Sequence, residues 1–256
     1  MYLLVLGAGR SVEWSPAVVG VYAEVRRMPS YGQFCPVAKT MEILDERWTV
    51  LIIRELLSGS HHFNDLRRGV PKMSPALLSK RLRSLAKAGV VLRRDDGNRV
   101  TYELTPGGRA LEPIVMALGT WGMQWRTELG EEDYDPSLLM WDLQRNLDLE
   151  VMPSGRVVVG FEFPDVEPRT RRWWVVVEAD RSIDLCDVDP GFPTDVKVVA
   201  NLPTLVHVWR GDLTWARTLR DGTVRVEGSS DLRRALPSWL KLSAFASVPR
   251  VAVPAP

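Results

Sequence analysis

Ala76, Ser79, Lys80 and Arg83 recur at offsets of three, four and seven residues, which puts them on one face if the stretch is helical. Two small side chains and two cations on a single face suit a duplex. Lysine and arginine donate to O6 and N7 of guanine, an alanine methyl can touch the thymine methyl, and the major groove admits one α-helix. Ser74 stands just ahead, where a helix N-terminus would offer free N–H groups to a phosphate. Arg93, Arg94, Asn98 and Arg99 follow around the stretch DDGN, and residues 61–99 carry ten Lys/Arg against three acids. The competing reading is a solvated basic face, the usual meaning of a charge run.

Little else has the spacing that chemistry needs. The chain has three histidines and two cysteines, with no CxxC pair. His207 falls on an expected helix with no serine or cysteine partner. The sequence therefore points to no enzyme, no cofactor and no metal site. Cys35 precedes Pro36 at the start of an expected helix, with Lys39 about one turn on. A helix N-terminus and a nearby cation favour a reactive thiolate, so Cys35 is a candidate redox site; an inert, half-buried thiol is the alternative. Cys186 alternates with Asp184 in SIDLCDV and reads as core. Two cysteines exclude a disulfide scaffold and suit a reducing cytoplasm. No stretch is apolar for long enough to cross a bilayer.

The reading face needs a helix to carry it. Ser74 can cap that helix, Pro75 suits its first position and Gly89 its end. Leu78, Leu82 and Leu85 form one apolar stripe on the side away from the cations. Upstream, Pro36 opens a helix over residues 36–45. WTVLIIRELLSG is a second helix ended by Gly59, FNDLRRGV is a short third, and VPKM is a turn. Downstream, VVLRR and RVTYEL alternate as strands around Asp96-Gly97, a strong hairpin signal. Thr105 and Pro106 then open one long helix to about Leu129, kinked near its start by Pro113. Within it, Leu111, Ile114, Leu118, Trp121 and Trp125 recur every three and four residues, an a/d seam. Part of this seam must pack on its own domain, but two tryptophans exceed what one small domain needs. The simplest partner is a second copy.

At 256 residues the chain has room for two domains. Residues 28–130 carry 15 Lys/Arg against 10 Asp/Glu, and residues 131–256 carry 15 against 20. The first half suits a polyanion and the second does not. Residues 1–27 read as a poorly anchored extension and 28–130 as the helical and hairpin domain. Residues 131–150 read as an acidic linker and helix, and 151–256 as an α+β domain with runs such as RVVVGFEF, RRWWVVVEA and DVKVVANL.

CPVAKTMEILDERWTVLIIRELLSGSHHFNDLRRGVPKMSPALLSKRLRSLAKAGVVLRR, followed by YELTPGGRALEPIVMALGTW, resembles the HxlR family of MarR-like bacterial winged helix-turn-helix regulators. The match runs over about residues 34–125. It includes the CPV opening, the Arg47-Trp48 pair, the Phe63-Asn64-Asp65-Leu66 segment and the YELT end of the wing. His62 stands where the family usually has a basic residue. The resemblance implies a cytoplasmic homodimeric transcriptional regulator, expected to repress, on an operator of two half-sites. It also implies possible thiol control, because relatives sense electrophiles through a cysteine in this setting.

ANLPTLVHVWRGDLTWARTLRDGTVRVEGSSDLRRALPSWL resembles the later part of the sterol-carrier-protein fold. That implies an apolar space for a hydrophobic ligand, lined by Leu205, Val208, Trp209, Trp215, Leu219 and Trp239. A solid core built from the same residues is the alternative. The expectation is an α+β protein with an N-terminal winged helix-turn-helix domain and a C-terminal sterol-carrier-like domain, bound to double-stranded DNA and to no membrane. A lipid-carrier-like protein whose winged-helix module mediates protein contacts is the second reading.

Overall fold

The computed structural model describes residues 30–126 and 128–251; the expected extension over residues 1–27 lies outside them. The elements run α1 (Pro36–Leu44), α2 (Thr49–Leu57), α3 (Phe63–Gly69), α4 (Pro75–Lys87), β1 (Val91–Asp95), β2 (Val100–Leu104), α5 (Pro106–Arg109) and α6 (Glu112–Trp125). They continue with α7 (Pro136–Arg145), β3 (Val157–Glu162), β4 (Arg172–Val177), β5 (Ile183–Cys186), β6 (Val196–Ala200), α8 (Leu202–Trp209), α9 (Trp215–Asp221), β7 (Val224–Gly228) and α10 (Ser230–Trp239). They divide into two units: residues 30–62 with 75–110, and residues 63–74 with 111–251.

In the first unit, the leucine stripe of α4 decides which way that helix faces. Leu78, Leu82 and Leu85 are at most 1% exposed, and each such burial contributes about 1.5–3 kcal/mol. Gly89 adopts φ +71°, and the Val90 N–H donates back to the Leu85 carbonyl at 3.0 Å, a glycine-based helix end. Gly59 ends α2 in the same way, with φ +90° and Ser60 N–H on the Glu55 carbonyl at 3.0 Å. Strands β1 and β2 pair antiparallel from Val91↔Leu104 to Asp95↔Val100. A third contact widens this hairpin: His62 bridges Thr101, and the Tyr102 N–H donates to the His61 carbonyl at 2.8 Å. Helix α2 lies against β2 and α4 against β1.

The single long helix expected from Thr105 to about Leu129 is instead two, α5 and α6, and the second ends at Trp125. Thr105 caps the first of them. Its hydroxyl donates to the Gly89 carbonyl at 2.6 Å and accepts from the Gly108 N–H at 3.0 Å. Gly108 packs so closely that a Cβ there would collide with the Val90 carbonyl. These contacts pin α5 to the base of the hairpin. Pro113 then starts a new helix in its first turn, where its missing N–H costs nothing.

The second unit is built on a mixed sheet in the order β5-β4-β3-β6-β7, with β3 and β6 parallel and the other neighbours antiparallel. Alternate residues of these strands, among them Val159, Phe161, Val175 and Val198, share one buried cluster with Leu139, Met140 and Leu143 of α7. Leu205 of α8 and Leu236 of α10 join the same cluster, so these helices cover one face of the sheet. The helix expected within residues 131–150 is α7, and it packs into this core. Asp135 caps α7, accepting from the Ser137 and Leu138 N–H groups at 2.9 and 3.2 Å. Acids before a helix stabilise its start, and the helix they start is core.

Candidate nucleic-acid interface

With its leucines inward, α4 turns Ala76, Lys80 and Arg83 to solvent, with Ser79 half-buried beside them. The neighbouring Arg81 is different. Its side chain is 13% exposed, forms an ion pair with Glu46 and donates to the Arg47 carbonyl at 3.3 Å. Among the described residues, Lys80 and Arg83 have no acidic partner. Lys87 lies seven residues beyond Lys80, is exposed and extends the same row. The helical period identifies it, although the sequence reading did not single it out. Ser74 is exposed but belongs to the 63–74 segment of the other unit.

Acids offset part of the hairpin's cationic charge. Arg93 pairs with Asp95 at 2.8 Å and Arg94 with Glu103 at 3.1 Å. Being adjacent on one strand, the two arginines point to opposite faces, so the fold does not bring them together. Asp95 also accepts from the Gly97 N–H at 3.1 Å, and Asp96 accepts from the Asn98 and Arg99 N–H groups at 3.0 and 2.6 Å. The Gly97 amide and then the Arg93 guanidinium hold the Asp95 carboxyl below its ordinary value; the Arg99 and Asn98 amides do the same for Asp96. Both acids shape the tip. The Asn98 and Arg99 side chains are exposed there, and Arg99 has no acidic partner among the described residues.

Two features of this unit escaped the sequence reading. Trp48 precedes α2 with φ +80°, and the Arg47 guanidinium lies 5.2 Å from its ring centre. Glu55 is fully buried and pairs with Arg54 at 2.7 Å, as a buried carboxylate must. Neither a left-handed tryptophan nor an inward glutamate leaves a signal in a hydrophobic pattern. Cys35 is half-buried at the N-cap of α1, while the Lys39 ammonium is engaged by Glu42 at 2.9 Å. Helix α1 buries none of its residues, and Val37 is 68% exposed.

In the second unit, α6 has two distinct sides. Gly119 faces the Phe245 ring with no room for a Cβ, and buried Met123 accepts through sulfur from Arg210. On the other side, Ile114, Leu118, Trp121 and Trp125 are 45–56% exposed, with Leu111 half-buried. Self-packing thus uses Gly119 and Met123 and leaves the seam open.

The expected ligand-lining residues mostly fill a core. Leu205, Val208 and Trp239 are at most 1% exposed, and Trp209 and Trp215 pack against the same cluster. Leu219 is exposed and borders a surface groove of about 730 Å³, and Trp215 borders a recess of about 460 Å³. The six residues do not line one cavity, because helix-period tryptophan and leucine stripes close on the sheet. Cys186 is half-buried in β5, where burial, Asp184 and Asp187 push its thiol up and make it less reactive. Asp212 gathers His207 Nδ1 at 3.1 Å, Arg210 Nε at 2.9 Å and Arg250 at 2.6 Å. Burial pushes its carboxyl up, but hydrogen bonds from His207 and Arg250 and the nearby arginine charges hold it below its ordinary value.

Comparison with known proteins finds the HxlR-like helix-turn-helix family model matching residues 43–129. The HTH-type transcriptional regulator YvaP of Bacillus subtilis is 36% identical over 112 residues, which are 42% of this chain and 96% of that protein. YdeP of the same organism, another HTH-type transcriptional regulator, is 32% identical over 98 residues, covering 37% and 77%. The solved structure of the redox regulator HypR in its reduced form is 33% identical, covering 35% of this chain and 91% of that one, with a TM-score of 0.33.

Proposed function

The chain belongs to the HxlR-like helix-turn-helix family through its N-terminal half, and on that premise we propose how it works as a DNA-binding transcriptional regulator. Helix α4 enters the major groove and presents Ala76, Ser79, Lys80 and Arg83 to base edges, with Lys87 and Ser74 at phosphates. The hairpin places Asn98 and Arg99 against the backbone or minor groove, with Arg93 and Arg94 in support. Two copies join through Leu111, Ile114, Leu118, Trp121 and Trp125, so a twofold-symmetric protein meets two half-sites and represses by occupying them. The observation that carries this reading is the α4 face: three leucines fully inward, and two outward cations with no acidic partner among the described residues. The succession β6, α8, α9, β7, α10 supports a sterol-carrier-like second unit. We assign no effector, because apolar side chains fill that core and Lys39 is engaged by Glu42.

Arg83→Ala and Arg99→Ala separate the two roles. Arg83→Ala is expected to lose about 1–3 kcal/mol on the operator and to relax its sequence preference; Arg99→Ala weakens all duplexes alike and lowers the salt slope by about one. Identical behaviour of the two variants in fluorescence titrations refutes the assignment. Wild-type affinity must also fall with salt, since phosphate contacts release counterions. Trp121→Glu, in the seam, is expected to shift sedimentation from dimer to monomer, whereas an unchanged sedimentation coefficient removes the seam from the interface.

A further inference from the structure

The second unit contains a groove whose walls differ in kind. One wall is β7, the last strand of its sheet, paired to β6 from Val196↔Gly228 to Ala200↔Val224. Among the described residues, nothing forms a backbone hydrogen bond with the outer edge of β7. The opposite edge strand, β5, is covered in part, since Gln144 donates to the Ile183 carbonyl at 3.3 Å. The other wall of the groove is α10, whose Ser230, Arg233, Arg234 and Pro237 are spaced three, four and seven residues apart and face the same space. The floor is apolar, with Val224, Val226 and Leu219, and the volume is about 730 Å³.

The charge of the groove is opposite to that of its surroundings. Residues 131–256 are acidic overall, yet Arg225, Arg233 and Arg234 line this groove against Glu227 alone. Arg234 is paired to Asp231 at 2.6 Å, both groups largely exposed, and such a pair is easily exchanged. Arg225 and Arg233 have no acidic partner among the described residues. An unpaired strand edge flanked by a helix is the geometry in which an extended peptide adds to a sheet: main-chain bonds hold it and side-chain pockets select it. Alternate residues of an added strand point to the same side, so one set meets the side of Val224, Val226 and α10, where Arg233 and Arg234 stand, and the other meets the opposite side with Arg225.

The geometry points to a docking site for an extended acidic segment of a partner protein, which adds to the free edge of β7 with its carboxylates toward Arg233 and Arg234. The site is separate from the α4 face and does not depend on the DNA reading.

The test uses the full chain and a fluorescein-labelled ten-residue peptide that alternates valine or threonine with glutamate. Saturable binding by anisotropy is expected. Arg233→Glu with Arg234→Glu, both at exposed helix positions, weakens it at least tenfold and leaves operator affinity unchanged. A peptide N-methylated at alternate amides and a peptide with lysine for glutamate both fail to bind; these two arms need no change to the protein. Absence of saturable binding overturns the proposal. So does equal binding of the methylated peptide, or displacement of the acidic peptide by decanoate, which would make the occupant a small organic acid. Loss of self-association in the double variant by sedimentation also overturns it, because the occupant would then be a second copy.

Discussion

Two of the regions of this molecule that concentrate cations handle them in opposite ways. On α4 and the hairpin tip, Lys80, Arg83 and Arg99 reach solvent without acidic partners among the described residues. Around Asp212, by contrast, His207, Arg210 and Arg250 converge on one carboxylate, and Arg250 also donates to the Arg210 carbonyl at 2.8 Å. Arginine density alone therefore does not locate a binding surface in this chain. What locates it is whether each cation already has an acid. Arg81 makes the point within a single helix: it sits between Lys80 and Ser84, yet it is held by Glu46.

The comparison breaks most visibly where the free cations lose their platform. Leu82→Ala removes a side chain 1% exposed and is expected to cost about 2–5 kcal/mol of stability, read by urea denaturation. DNA binding should then fail only in proportion to the unfolded fraction. Asp212→Asn probes the engaged cations and is expected to cost about 1.5–3 kcal/mol near neutral pH, as charge-assisted hydrogen bonds are lost, with operator affinity unchanged. Because the folded state lowers the Asp212 carboxyl, its contribution is complete above the unfolded carboxylate value of about 3.9. That contribution fades as pH falls through the lower folded value. Melting curves of wild type and variant should converge in that acid window; a constant gap would show that the carboxylate charge is not the cause. Lys80→Ala should show the reverse pattern, with stability within about 0.5 kcal/mol of wild type and a clear loss of DNA affinity. The smallest expected effect is that of Asp95→Asn. It releases Arg93 from its 2.8 Å pair and should raise duplex affinity a few-fold while steepening its salt dependence. An unchanged slope would mean that Arg93 stays away from phosphate.

Much of the first unit was legible because its signals are local. Ser74-Pro75, the leucine stripe and Gly89 mark α4 within two residues of its observed ends, and Asp96-Gly97 marks the hairpin loop. Pro113 marked the interruption between α5 and α6, which falls just ahead of it. What was not legible is how α5 is anchored, by Thr105 and Gly108 meeting the backbone of Gly89 and Val90, a contact across the hairpin that no periodicity records. In the second unit the strands and helices were readable, but not which side chains close on which. Leu205, Val208 and Trp239 have the same pattern whether they line a space or fill one, and only packing against Val198 and its neighbours on the sheet decides. The helix after the acidic run was readable, and Asp135 at the end of that run caps it; its place in the core was not readable, because that core is assembled from strands far along the chain.

The two-sided packing of α6 also has a temporal side. Its inner side is covered by Phe245 at Gly119 and by the Val251 N–H, which donates to the Gln124 carbonyl at 3.1 Å. During synthesis α6 emerges long before either residue, so both of its sides are uncovered until the ribosome has passed residue 251. A nascent chain thus offers two sticky flanks where the finished protein offers one. Pairing between neighbouring ribosomes on one message, before release, would have twice the surface to choose from and one wrong way to choose.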